Sequence, residues 1–257
     1  MSRVLLLVAC LAAPLGAQAG PAYQRLQLDG ARYRQEVRSV ISLEGGRMRS
    51  RETGFRAGTM TLAATARDSL IAVEAWFDSL VAWREGNGEH IAPETDGVIG
   101  GRFHGLLTPS GGFTLTDAPW VPDDLAEITE LTGALGDLFP PLPGRRLAPG
   151  ESWRDGFGAA FLRIPDETVR GRRVERYRLV RTAERDEVRL LPDSTEVRAH
   201  RVERESGVFS WSAELGLVRW ERDVTVEVTV PQGGVVKEPV RTRIEQAVVV
   251  ERGMGSR

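Results

Sequence analysis

The stretch LVRWERDVTVEVTV, residues 217–230, limits what this chain can fold into more than any other feature. Val218, Trp220, Val224, Val226, Val228 and Val230 share one parity, and Arg219, Glu221, Asp223, Thr225, Glu227 and Thr229 take the other. Successive side chains on a pleated strand point to opposite faces, so this order gives one apolar and one wet face. A helix would scatter both sets around its circumference. The run VRTRIEQAVVV repeats the pattern with Val240, Ile244, Val248 and Val250 aligned, and PQGGVVKEP between the two supplies turn chemistry. The two runs read as an antiparallel hairpin.

The same period recurs upstream. YRQEVRSVISL places Tyr33, Val37, Ile41 and Leu43 on one face, and TMTLAATA does so with Met60, Leu62, Ala64 and Ala66. Residues 70–84 fit a strand with Ile71, Val73, Ala75, Phe77, Val81 and Trp83 in a row, or a helix with Leu70, Val73, Phe77, Leu80 and Arg84 in a stripe. Their aromatic and β-branched content favours the strand. GGRFHGLLTPSGGFTLTD reads as a second hairpin turning at TPSGG. One helix is signalled at 122–138. Pro122 suits a first helical position, Asp123 and Asp124 complement the helix dipole, and Leu125, Ile128, Leu131, Leu135 and Leu138 follow at helical spacing. The expected fold class is α+β, mainly antiparallel β: a curved sheet or half-barrel with one amphipathic helix packed on a sheet face.

The first nineteen residues read as a leader rather than fold: Arg3, the apolar run VLLLVACLAAPL, then AQA at 17–19 as a small-x-small cleavage pattern. Cleavage after Ala19 predicts a periplasmic or extracellular protein. LVAC at 7–10 also fits a lipobox, which would instead anchor the chain to a membrane through Cys10. The organisation that follows is an N-terminal β-rich half at 20–138, a Pro/Gly-rich linker at 139–157, a C-terminal β half at 158–252 and a flexible tail at 253–257. Cys10 is the only cysteine, so the mature chain holds no thiol for a disulfide, a thiolate metal site or a cysteine nucleophile. Without Arg3 the 34 basic residues become 33 against 36 acidic ones, a net charge near −3 that does not suit a nucleic-acid partner. No later segment is apolar enough to span a bilayer.

FPPLPGRRLAPGESWRDGF, residues 139–157, looks at first like the approach to a catalytic serine. A nucleophile elbow needs glycine two residues before and two after the serine. Gly150 fills the first position around Ser152, but Arg154 occupies the second. A linker accounts for more of these residues: Pro140, Pro141, Pro143 and Pro149 stiffen it, Gly150 turns it, and Trp153 plugs it into the core. Glu89, His90, Glu94 and Asp96 form a solvated acidic loop rather than a zinc or calcium site, since one imidazole stands alone and the EF-hand spacing is missing. Residues 170–204 carry eleven arginines and seven acids in alternation, which suits charge pairs on a wet sheet face better than a polyanion site. No catalytic residue, metal ligand or cofactor is nominated. Of the six tryptophans, Trp76 and Trp211 fall apart from the obvious core rows and are the candidates to line a ligand pocket.

The segment FPPLPGRRLAPGESWRD, after an amphipathic helix and before paired strands, resembles secreted bacterial proteins of uncharacterised function in which a PGxSW segment joins two β-rich halves. In outline these are similar to lipoprotein-carrier half-barrels, where a curved antiparallel sheet wraps a helix or an apolar cavity. The resemblance implies a noncatalytic envelope protein holding an apolar ligand such as a lipid or acylated peptide. A docking module for another envelope protein is the alternative, and an exported hydrolase the third reading.

Overall fold

The computed structural model describes residues 20–190, 196–233 and 236–253. The leader readings on 1–19, Cys10 included, and the tail beyond Gly253 lie outside the described residues. Twelve strands carry the chain: β1 (Arg32–Gly45), β2 (Met48–Arg67), β3 (Leu70–Gly86), β4 (Glu89–Ile91), β5 (Phe103–Leu107), β6 (Phe113–Asp117), β7 (Ser152–Arg154), β8 (Ala160–Val169), β9 (Arg172–Leu190), β10 (Glu196–Ser212), β11 (Gly216–Val230) and β12 (Val240–Gly253). They form one open, curved antiparallel sheet in the order β6-β5-β3-β2-β1-β12-β11-β10-β9-β8-β7, with β4 on the side of β3.

The alternation read in the sequence is realised in this sheet. β11 and β12 form the expected hairpin, with Val226 opposite Ile244 and Trp220 opposite Val250. β5 and β6 form the second. The two β-rich halves are not separate sheets. β1 pairs with β12 along its whole length, from Arg32 opposite Gly253 to Gly45 opposite Val240, so the first and last strands sit side by side at the centre.

Residues 70–86 are strand, but not with one continuous row. Ile71, Val73, Ala75 and Phe77 are buried, then a bulge leaves Asp78 without a partner on β2, and burial passes to Leu80 and Ala82. An extra residue reverses the parity of everything after it. Val81 and Trp83, expected in the core row, therefore stand on the opposite face, and Val81 is 56% exposed.

The helix expected at 122–138 is shorter than its pattern. It runs only from Asp123 to Ala126 (α2, after a first short helix α1 at Arg25–Leu28), and two 3₁₀ turns follow at Thr132–Ala134 and Gly136–Leu138. The Glu130 carboxylate accepts the Gly133 backbone N–H at 2.8 Å, taking a donor that a continuing helix would need, and glycine at 133 and 136 disfavours helix further. The apolar side chains still do what an amphipathic helix would. Leu125, Leu131, Leu135, Leu138 and Phe139 are buried in the main core against Met60, Phe77, Phe103, Tyr177 and Phe209 from the sheet. Residues 118–151 thus form a plug crossing the concave face, tied at one end by Tyr23 donating through its hydroxyl to the Pro140 carbonyl at 3.0 Å. The space expected between sheet and helix is filled by the chain's own side chains.

Candidate functional site

Beyond the plug the long strands continue, and at the plug's margin lies a cleft of about 250 Å³. Its floor is the concave face of the central strands, with Val37, Ser39 and Ile41 from β1, Arg56 from β2, Arg222 from β11, and Ile244, Gln246 and Val248 from β12. Its wall is the plug, with Ile128, Glu130, Ala134 and Asp137. Ile244 also belongs to a second apolar cluster of Ala199, Val226 and Val228, flanked by Val224 and Val230. The strand register continues the floor into that cluster, since Ile41 opposes Ile244 and Ile244 opposes Val226. Along β11 the same face continues from Arg222 through Val224, Val226, Val228 and Val230, a trough row about 26 Å long at roughly 3.3 Å per residue in which Val226 and Val228 are buried.

A polar chain closes the inner end. Arg56 donates from Nη1 to the Glu130 carbonyl at 2.6 Å and from Nη2 to Gln35 Oε1 at 3.1 Å. Gln35 in turn donates to Asp137 Oδ2 at 2.8 Å, and Arg222 donates to the other Asp137 oxygen and to Glu205 at 2.9 Å. Gln35, Arg56 and Glu205 are buried. Burial pushes the Asp137 carboxyl above the usual aspartate range, against the pull of Arg222 and Arg56. Burial likewise lowers the Arg56 guanidinium from its ordinary value, opposed by Asp137 and Glu130. Arg56 and Arg222 stand against Asp137 and Glu205, and Glu205 is shared with Arg181 of β9 at 3.4 Å. The Nε–H groups of both arginines are buried and have no acceptor among the described residues.

The residues nominated from sequence fall elsewhere. Trp211 is 1% exposed on the concave face, packed edge-on against Tyr23 at 4.6 Å, inside the core row from which it was expected to stand apart. Trp76 lies on the convex face, with Arg102 over its ring at 3.7 Å and its indole N–H donating to Asp78 at 3.1 Å. The structure does not bring the two together, and neither lines the cleft. Ser152 sits exposed in the short edge strand β7, opposite Leu162, while Trp153 is half-buried and stacks on Phe161 at 4.4 Å. His90 rests against Trp83 at 5.6 Å between ring centres.

The arginine-rich run departs from its reading as a purely wet face. On β9 the row of Tyr177 and Leu179 continues with Arg181, and on β10 the row of Phe209 continues back through Glu205, Glu203 and Arg201. Arg181 binds Glu203, Arg201 reaches Glu203 at 3.3 Å, and Arg181 approaches Glu205 at 3.4 Å. One side of the trough is therefore ionic and half-buried.

No family model matches the chain, and no curated protein matches it. Among solved structures, a lipovitellin described for its lipid-protein interactions aligns with 89% of this chain and 26% of its own, at 8% identity and a TM-score of 0.46. This chain thus spans about a quarter of that one. A putative exported protein with a YmcC-like fold from Bacteroides fragilis aligns over 93% of this chain and 100% of its own, at 11% identity and a TM-score of 0.20. A DUF1329 family protein from Desulfovibrio piger aligns over 89% and 88%, at 12% identity and a TM-score of 0.20. Likenesses this weak decide neither fold nor function, and none bears on the PGESW segment.

Proposed function

We propose that the protein is a noncatalytic carrier that holds an apolar or amphiphilic ligand, a lipid or acylated peptide, in the cleft beside the plug. One observation supports this above others: Ile41 and Ile244, neighbours in register on the central strands, line the cleft floor beside Val37 and Val248 and give it an apolar surface. The cleft's lining is mixed: Val37, Ile41, Ile128, Ile244 and Val248 supply apolar surface for a chain, and Arg56, Arg222, Asp137 and Gln246 are polar groups that would orient a head. Each methylene transferred from water to such a surface contributes about 0.8 kcal/mol, from which the costs of association are subtracted. The reading includes export, on the strength of the leader pattern at 1–19. Among the described residues no helix is long and apolar enough to cross a membrane.

Native mass spectrometry of protein purified from its host, with titration of a fluorescent fatty-acid analogue, tests the reading. Copurified acyl species and saturable fluorescence are expected. Ser39→Trp, which fills the cleft floor, should abolish the saturable signal. A signal unchanged in Ser39→Trp, or absent from the wild-type protein, would reject it.

A second reading, as a docking module, draws on the convex face. There Phe55 and Trp83 stack at 5.7 Å beside Arg38 and Val40, around a groove of about 440 Å³. Trp83→Ser that abolishes copurification of a protein partner while acyl binding persists would favour it.

A further inference from the structure

We infer that two adjoining hairpin turns at one end of the sheet dock the protein on a membrane surface that carries anionic phosphate headgroups. The inference goes beyond the ligand-binding reading and rests on residues outside the cleft. The turns meet because β1 lies between β2 and β12: Gly45 opposes Met48 on one side and Val240 on the other, and the Glu238 side chain lies against Gly46. Arg47 stands in the first turn and Lys237 in the second. Behind them on the convex face, Glu44 has Arg49 opposite on β2 and Arg241 opposite on β12, and Arg51 opposes Ser42. Arg47, Arg49, Arg51, Lys237 and Arg241 are all exposed, and none of them makes a hydrogen bond or ion pair among the described residues. Nearer the middle of the strands the pattern differs: Arg38 holds Glu36 at 2.8 Å, and Arg243 holds Glu227 at 3.1 Å and Glu245 at 2.7 Å.

Five positive charges at this tip face the carboxylates of Glu44 and Glu238, which leaves it at +3 in a chain whose net charge is −2. Unpaired cations gathered at one end draw an anionic partner by long-range attraction. Met48 selects the kind of partner: it lies between Arg47 and Arg49 and is 61% exposed. A bilayer takes such a side chain into the boundary of headgroups and acyl chains with no pocket built to receive it. Arginine and lysine side chains meanwhile keep their charged ends at the phosphates. A soluble polyanion offers the thioether no apolar contact. A pocket of about 260 Å³ between the turns, lined by Glu44, Gly45, Gly46, Arg49 and Arg241 among others, is where one headgroup phosphate would sit.

Vesicle co-sedimentation of protein purified from its host tests this. The quantity read is the ratio of binding to vesicles of equal parts phosphatidylglycerol and phosphatidylcholine over binding to phosphatidylcholine alone. A hydrophobic anchor at the N terminus would act on both alike and cancel in the ratio. Each basic side chain near an anionic surface contributes roughly fivefold, so a tip at +3 should give a ratio on the order of a hundredfold at low salt. Raising salt to about 1 M, where screening acts within roughly 3 Å, should bring it close to one. Arg49→Ser combined with Arg51→Ser should lower the low-salt ratio about 25-fold. Arg67→Ser removes an exposed, unpaired charge at the opposite end of β2 and should leave the ratio within about twofold of wild type. Met48→Ser should weaken binding to the anionic vesicles about threefold with the salt dependence unchanged. Circular dichroism reports that each variant still folds. A wild-type ratio near one would overturn the inference and leave an acidic protein as the partner of the tip. A ratio unmoved by the Arg49/Arg51 double variant, or lowered as far by Arg67→Ser, would overturn it too. None of these results touches the carrier reading, which acyl binding in the cleft decides separately.

Discussion

Arg222 on β11 and Asp137 on the plug are 85 residues apart in sequence, yet the guanidinium donates directly to the carboxylate across the concave face. This contact fixes where the plug stops and so where the cleft begins. Arg222 also holds Glu205 on β10, so three parts of the chain meet at one side chain.

Removing Asp137 should therefore cost more than a surface ion pair. Asp137→Ala leaves Arg222 and Arg56 without their nearest counter-charge in a largely buried site. Breaking one partner of such a pair costs about 3–5 kcal/mol, even where the intact pair is near break-even. Urea unfolding, read as a lower midpoint at unchanged slope, would show it. A shift within the noise of the midpoint would mean that the plug is held by its leucines alone.

The same carboxyl gives a pH signature of definite sign. Its native pKa lies above the unfolded value of about 3.9. The stability it contributes is full below that unfolded value and is lost as pH rises through the raised native pKa. Asp137→Asn should flatten the decline in stability as pH rises from about 4 toward neutrality, relative to wild type. Thermal midpoints across that range measure the difference, and parallel curves would count against it.

Glu151 should act in the opposite sense. Its carboxylate accepts the Ala148 backbone N–H at 2.7 Å and a hydrogen bond from Arg145 at 3.1 Å, and these hold its pKa below the ordinary glutamate range. Such a group stabilises the fold above its unfolded pKa, and the contribution disappears as pH falls through the depressed native value. Glu151→Gln should soften acid unfolding on that limb, by a small amount because the side chain is exposed. Gly150 beside it has φ of 93° with open space around its missing Cβ, so Gly150→Ala should cost about 1–2 kcal/mol from backbone conformation alone.

Val226→Asp tests the trough's structural contribution. Val226 is 7% exposed in a cluster with Val228 and Ala199, and the residue opposite it on β10 is Glu203, so an added carboxylate would meet a like charge. An unpaired buried charge should cost several kcal/mol. Amide exchange should also show β11 and β12 among the slowest regions, and early exchange there would contradict both expectations.

The parts legible in the sequence were local. Period-two rows at 217–230 and 240–250 gave a hairpin because strand pleat and turn chemistry act over a few residues. The cleft was not legible, because Arg56, Asp137 and Arg222 converge only through sheet order. A faint signal existed in polar residues at row positions: Gln35 between Tyr33 and Val37, and Arg222 between Trp220 and Val224. Trp76 and Trp211 were drawn to the pocket by residue type, and the structure puts them on opposite faces. The helix at 122–138 had the right stripe, but Glu130 and the glycines broke its backbone while the leucines kept their places.

The bulge at Asp78 was equally invisible to periodicity, and it yields the sharpest test of the register. A continuous strand would bury Val81 and expose Leu80. With the extra residue, Leu80 is 4% exposed and Val81 is 56% exposed. Its backbone carbonyl accepts from Thr95 at 2.7 Å, which holds Leu80 on the inner face against slippage. Leu80→Asp should then place an unpaired charge in the core and cost several kcal/mol. Val81→Asp should stay within about 0.5 kcal/mol of wild type, as surface substitutions usually do. Chemical denaturation of the two variants side by side reads the parity directly. If Val81→Asp proves the more damaging, the bulge is misplaced and Trp83, with the convex aromatic groove it forms, would turn inward instead.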